Sequence, residues 1–189
     1  IEGRGLLNKL LYVSEERTLY KIRRAVFPDD LNDILSLYRE YVATTTADLK
    51  FQKNNADFER LEINYREKHS QIFIAFQSSE AIECAAYRKH NDEVCEMKRV
   101  YVRPQARGYK VGEALVKMIL NESIGVGYKK MCLDVLPEFV YAQKLYERLG
   151  FVPHDPITYN PVKGTKYLAI DLETYNNQSQ QDAASGASA

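Results

Sequence analysis

Residues 99–112, Arg-Val-Tyr-Val-Arg-Pro-Gln-Ala-Arg-Gly-Tyr-Lys-Val-Gly, constrain the fold more than any other stretch of the chain. A β-branched run ends at Arg103-Pro104, a loop bearing Arg107 and Gly108 follows, and an amphipathic helix begins. Val111, Ala114, Leu115, Met118 and Ile119 fall on one helical stripe, and Gly125 and Gly127 supply the stop. A strand that turns into a helix this way points the first, unpartnered helix amides at whatever sits in the loop. The helix dipole adds partial positive charge there, so the guest to expect is a phosphate. Arg107 and Lys110 are cations at a helix start, where the dipole disfavours them, and a bound anion offsets that cost. The alternative is a solvated, charged helix start. Neither G-x-x-x-x-G-K-[ST] nor G-x-G-x-x-G occurs, which argues against a P-loop hydrolase and a dinucleotide fold.

Three segments, in this order, carry a resemblance. Arg107-Gly108-Tyr109-Lys110-Val111-Gly112 resembles the acetyl-coenzyme A loop of the GNAT acetyltransferase superfamily. Cys95 to Val102 is similar to that family's fourth strand, and Ala142 to Phe151 to its last helix and following turn. Leu136-Pro137 and Tyr159-Asn160-Pro161-Val162-Lys163-Gly164 look like a bacterial-type group of small GNAT proteins. The resemblance covers residues 18–172 and implies acetyl-CoA as cosubstrate. It implies that Val100, Tyr101 and Val102 offer strand backbone to the pantetheine arm. Residues 107–112 would then hold the diphosphate. It also implies two parallel strands, here 94–102 and 129–135, that part after the fourth strand. Two positions depart from the family pattern. Lys110 stands where glycine is usual, although its backbone amide and side chain can still serve a phosphate. Phe139 stands where asparagine is frequent, which removes one side-chain hydrogen bond near the cofactor.

The chain of 189 residues suits one domain, and 26 basic residues balance 26 acidic ones. That balance gives no electrostatic reason for nucleic acid or a membrane surface as partner. Tyrosines such as Tyr12, Tyr20, Tyr38 and Tyr41 do not cluster with Lys or Arg in a base-stacking motif. No apolar run is long enough to span a bilayer. Cys84, Cys95 and Cys132 each fall in a predicted strand, without metal-ligand spacing, and read as buried thiols in a reducing, cytoplasmic compartment. Residues 1–17 read as an N-terminal extension, with Ile1-Glu2-Gly3-Arg4 resembling a protease-cleavage remnant. Residues 173–189, rich in Asn, Gln, Ser and Ala, read as a disordered polar tail.

Between those ends the pattern predicts a strand over 18–25, a helix opened by Pro28-Asp29-Asp30, and a thin, mostly exposed helix from Asn55 or Asp57 to His69. A hairpin turns at Ser78-Ser79-Glu80, and a further strand covers 94–102. Adjacent charges at Lys98 and Arg99 break the alternation of that strand and predict a β-bulge. The order is that of an α/β (mixed α+β) fold, a mixed sheet with helices on both faces; the resemblance makes it a splayed sheet of about seven strands.

Acetyl transfer to an amine needs a base for the amine, donors for the oxyanion and a proton for the departing thiolate. Tyr146 matches the tyrosine that family members commonly use as general acid, although it also lies on the apolar stripe of its helix. Glu96 is an unusual acidic residue inside a core strand and is the candidate base; a salt bridge to Lys98, Arg99 or another cation is the alternative. A strand amide near Val100 is the candidate oxyanion donor. Arg103 reads as surface, and His69, His90 and His154 as isolated, with the His154 loop expected to border the acceptor site. The expected activity is N-acetylation of a small-molecule amine, with a homodimer as a candidate assembly. Acetylation of a protein, or non-catalytic acyl-CoA binding, are the alternatives.

Overall fold

The computed structural model describes residues 20–45 and 60–186. The proposed extension at 1–17, the start of the second predicted helix with Phe58, and most of the loop 44–56 lie outside them. The strands are β1 (Tyr20–Arg24), β2 (Gln71–Gln77), β3 (Glu80–Lys89), β4 (Val94–Val102), β5 (Lys130–Val135), β6 (Val152–Pro153) and β7 (Lys166–Asp171). The helices are α1 (Leu31–Thr44), α2 (Leu61–Asn64), α3 (Val111–Val126), α4 (Val140–Arg148) and α5 (Leu172–Gly186). One seven-stranded sheet runs β1-β2-β3-β4-β5-β7-β6. All its pairings are antiparallel except β4 with β5, which is parallel. The mixed sheet with helices on both faces is therefore present.

Strand alternation divides the core in two. Phe73, Ala85, Tyr87, Met97, Met131 and Leu133 pack on one face against Val111, Leu115 and Ile119 of α3 and Tyr146 of α4. Ile72, Ile74, Cys84, Ala86 and Tyr101 point to the other face, under Ile34 and Leu37 of α1. The bulge predicted in β4 is there. Cys84 pairs with Tyr101 and Ala86 with Lys98, so β4 holds one residue more than β3 between those rungs, and Arg99 has φ +59°. Without the bulge, one of two consecutive charged residues would be driven into the α3-side core. With it, Arg99 joins the α1 side, its guanidinium 5.3 Å from the Tyr38 ring centroid and 6.0 Å from that of Tyr65.

Three expectations change. The second predicted helix ends at Asn64 and not near His69; its stripe residues Leu61 and Tyr65 bury against the α1-side core while Ile63 is exposed, as the thin stripe suggested. Arg103 is no surface residue: its guanidinium bonds both carboxylate oxygens of Glu40 at 2.9 and 2.6 Å, Glu80 at 2.7 Å and the Ala81 carbonyl at 2.6 Å, tying α1 to the β2–β3 hairpin. The polar stretch from 173, expected to be a disordered tail, is helical as far as Gly186. Asp171 caps it by accepting the Thr174 N–H at 2.8 Å, and Leu172 and Tyr175 bury in the α3-side core. Two anchoring side chains and a cap offset a composition that would not fold alone. Among the described residues no helix is long and apolar enough to cross a membrane.

Candidate active site

The register of β4 and β5 creates the site. They pair only at Val94–Lys130, Cys95–Met131 and Glu96–Cys132. Both strands continue beyond that rung, to Val102 and Val135, without pairing to each other. A cavity of about 1280 Å³ fills the gap. Val100, Tyr101, Val102, Leu133, Asp134 and Val135 line it from the strands. Arg99 and Val100 also fall outside the β3 register because of the bulge, and beyond Glu96 the β4 edge that faces the gap has no β5 partner.

One end of the cavity is the entry into α3, where Arg107, Gly108, Lys110, Val111 and Gly112 line it. Among the described residues no acceptor meets any backbone N–H from Gly108 to Glu113; the first helix bond is Ala114 N–H to the Lys110 carbonyl, 3.0 Å. Six consecutive unpaired amides with two cations beside them form an anion nest. Tyr109, placed in this loop by sequence, is half exposed and does not line the cavity. Gly112 allows a close approach: a Cβ there would lie 3.2 Å from Glu83 Oε1 and 3.4 Å from Val102. Lys110, standing where the resembling family has glycine, is left-handed at φ +57°. A non-glycine residue held there costs roughly 1–2 kcal/mol, part of which glycine returns in chain entropy. Lys110→Gly is therefore expected to raise the melting temperature by about 1–4 °C, checked by calorimetry.

Tyr146 sits on α4 facing the same cavity, its ring 5.6 Å from Phe151. The ring belongs to the α3-side core and the side chain also lines the gap. No described residue hydrogen-bonds its hydroxyl. Burial, then the charges of Glu83, Tyr41 and Asp134, push its phenol well above the usual range, so it is a proton donor at rest. Phe139, at the α4 start, packs against Tyr41 at 5.7 Å and forms an aromatic wall where a polar contact was missing from sequence.

Glu96 is placed differently from the expectation. It lies at the last paired rung, 3 % exposed, with Lys98 at 2.9 Å and Arg88 at 3.4 Å, and it does not line the cavity. The ion pair that sequence offered as the alternative is present, to Lys98 and to Arg88. His154 contacts Lys130 at 3.4 Å and the Asp155 carbonyl, away from the cavity. The three cysteines are buried and free. Burial pushes the Cys84 and Cys95 thiols up to about 12, which leaves them inert as nucleophiles.

Sequence reasoning missed two residues. Glu83 on β3 is fully buried beside Gly112 and Tyr146, and neither carboxylate oxygen has a hydrogen-bond partner among the described residues. Asp134 on β5 lines the cavity on its α1 side. Both were visible as single acidic residues inside apolar strands, Ala-Ile-Glu-Cys-Ala and Cys-Leu-Asp-Val.

Comparison with known proteins supports the same fold. The family model described as Acetyltransferase (GNAT) family matches residues 29–151. The chain is 34% identical, over 77% of its length and 90% of the relative's, to an uncharacterised N-acetyltransferase of Schizosaccharomyces pombe. A second uncharacterised N-acetyltransferase, from Dictyostelium discoideum, is 24% identical over 70% of this chain and 90% of the relative. These relatives are eukaryotic, which does not bear out the bacterial-type grouping suggested by the Leu-Pro and Tyr-Asn-Pro motifs. Among solved structures, the Salmonella typhimurium protein yncA, solved with acetyl-CoA, aligns with a TM-score of 0.62 at 16% identity, covering 81% of this chain and 94% of that one. An acetyltransferase of Streptococcus agalactiae aligns with a TM-score of 0.67 at 17% identity, over 80% of this chain and 98% of that one. With the parted strands, the bulge and the amide nest all in place and the family model spanning most of the sheet, this chain belongs to the GNAT acetyltransferase family.

Proposed function

We propose that the protein is an acetyl-CoA-dependent N-acetyltransferase that acetylates the primary amine of a small molecule by direct attack within a ternary complex. The observation that carries this reading is one continuous cavity joining the unpaired amides 108–113, the open edge of β4 and the Tyr146 ring. The residues present fit the cosubstrate: a run of donors for a diphosphate, free strand backbone for an amide-containing arm, and a buried proton donor where the arm would end.

When bound, acetyl-CoA supplies an acyl carbon attached to a thiolate leaving group. The amides of Gly108 to Glu113, with Arg107 and Lys110, hold the diphosphate. Val100, Tyr101 and Val102 orient the arm along β4, and an amide near Val100 donates to the oxyanion. Tyr146 holds the proton that the thiolate takes as the carbon–sulfur bond breaks. The aromatic wall of Tyr38, Tyr41 and Phe139 excludes water from the acyl carbon. Buried, unpaired cysteines fit a reducing cytoplasm.

Saturating acetyl-CoA is expected to raise the melting temperature, and thiol release against a panel of small primary amines is expected to identify at least one acceptor. Neither heat nor a melting shift on titration with acetyl-CoA would overturn the reading. Binding without thiol release for any amine or peptide would leave acyl-CoA binding as the activity.

A further inference from the structure

Asp134 has a position that nothing in the cofactor chemistry uses. It lies two residues beyond Cys132, the last β5 residue paired to β4, and so stands at the open gap. Its neighbours Leu133 and Val135 belong to the α3-side core, so alternation sends Asp134 to the opposite, α1 side. Its Oδ2 accepts Asn160 Nδ2 at 2.5 Å. Asn160 is itself fixed: its Oδ1 accepts the Val162 N–H at 3.0 Å and its own N–H donates to Tyr167 Oη at 3.1 Å. Asn160 is 7% exposed, so a buried amide holds one oxygen of Asp134 in place. Among the described residues nothing hydrogen-bonds Oδ1, although a carboxylate has several acceptor sites to fill.

The surroundings say what belongs there. Asp134 contributes to the raised phenols of both Tyr41 and Tyr146, which places its charge near the aromatic wall and near the thiolate's proton donor. Tyr41 packs 5.9 Å from Tyr38, 6.0 Å from Tyr101 and 5.7 Å from Phe139. Aromatic rings and a carboxylate that line one cavity attract an organic cation and repel an anion. Of the cations lining the cavity, Arg88 and Lys98 pair with Glu96, Arg99 lies over the Tyr38 ring, and Arg107 and Lys110 stand at the entry into α3; among the described residues no ion pair reaches Asp134.

We infer that Asp134, clamped by Asn160, binds the ammonium group of the acceptor and takes its first proton. The acceptor class is therefore an organic ammonium on an apolar or aromatic stem; this rests on the acyltransfer reading above. The protons and electron pairs balance. Asp134 accepts one proton from the ammonium and later gives it to solvent. The freed nitrogen lone pair forms the carbon–nitrogen bond to the acyl carbon, and the carbon–sulfur bond breaks with its pair on sulfur. Tyr146 gives its proton to sulfur and recovers one from the new amide nitrogen. No oxidant or further reactant is needed.

The test titrates 2-phenylethylammonium, and its neutral analogue 2-phenylethanol, into the wild type and Asp134→Asn, each with and without CoA. Asn at 134 keeps an acceptor for Asn160, so the loop stays anchored. The ammonium is expected to bind the wild type and to weaken by at least about tenfold in Asp134→Asn, with the alcohol weak and equal in both. CoA affinity is expected to be unchanged. Equal ammonium affinity in the two proteins, ammonium binding no tighter than that of the alcohol, or no ammonium binding at all would each overturn the inference. Failure of CoA itself to bind would instead overturn the acyltransfer reading, and the arm without CoA would still decide the role of Asp134.

Discussion

Glu83→Gln will melt several degrees higher than the wild type at pH 8, and the two will converge near pH 5. Glu83 is fully buried on β3, paired in register with Ala75 and Val102, and both its oxygens lack hydrogen-bond partners among the described residues. Burial pushes its carboxyl well above the ordinary range. The sign follows from which state loses the proton first. Below the ordinary carboxylate range both folded and unfolded chains are protonated, and Glu83 does not make stability depend on pH. As pH rises past that range the unfolded chain ionises while the folded one does not. Each pH unit, as far as the raised value, then costs about 1.4 kcal/mol of stability. For a domain of this size that is roughly 3–6 °C per unit. Glutamine has nearly the same shape and cannot ionise, so it removes the slope. Melting curves of both proteins from pH 5 to pH 8 check this. Parallel curves, with no growing gap, would mean that Glu83 is already neutralised by a partner, and the account of its burial would be wrong.

What the sequence made legible is what is local. The amide nest is read from six consecutive residues, and the β4 bulge from two adjacent charges that cannot both face solvent in a regular strand. The parting of β4 and β5 was implied by family resemblance, and the register bears it out. What was hidden depends on partners distant in sequence. Arg103 looked like surface because Glu40 and Glu80, which hold it, lie 63 and 23 residues away. Asp134 and Asn160 are 26 residues apart, and only the closing of β5 on β7 makes them a pair. The α5 segment looked disordered because its stability comes from Leu172 and Tyr175 docking, not from its polar composition.

Glu83 and Glu96 show the limit most sharply. Both are acidic residues inside core strands, so the signal is the same. Arg88 across the rung on β3 and Lys98 two residues along β4 give Glu96 two cations, while among the described residues Glu83 has none. Sequence singled out Glu96 for chemistry because an acidic residue is unusual inside a core strand, a signal that Glu83 shares. The structure pairs Glu96 with Lys98 and Arg88 off the cavity and places an unflagged carboxylate, Asp134, in the cavity lining.

Tyr146→Phe is expected to lower kcat for amine acetylation by about 10²-fold or more, while leaving the melting temperature within about 1 °C and the affinity for acetyl-CoA unchanged. The separation is possible because the ring and the hydroxyl do different things. The ring packs on Phe151 in the α3-side core, and phenylalanine keeps that contact. The hydroxyl has no hydrogen-bond partner among the described residues and opens on the cavity, so its loss costs little stability. Because burial holds the phenol protonated, removal deletes a donor and not a base. The rate should therefore recover in part with acyl donors whose leaving thiol is more acidic and needs no proton. Steady-state kinetics with acetyl-CoA and with such a donor, beside a thermal melt, read all three quantities. An active Tyr146→Phe enzyme with undiminished kcat would return Tyr146 to the core and leave the thiolate to depart unassisted.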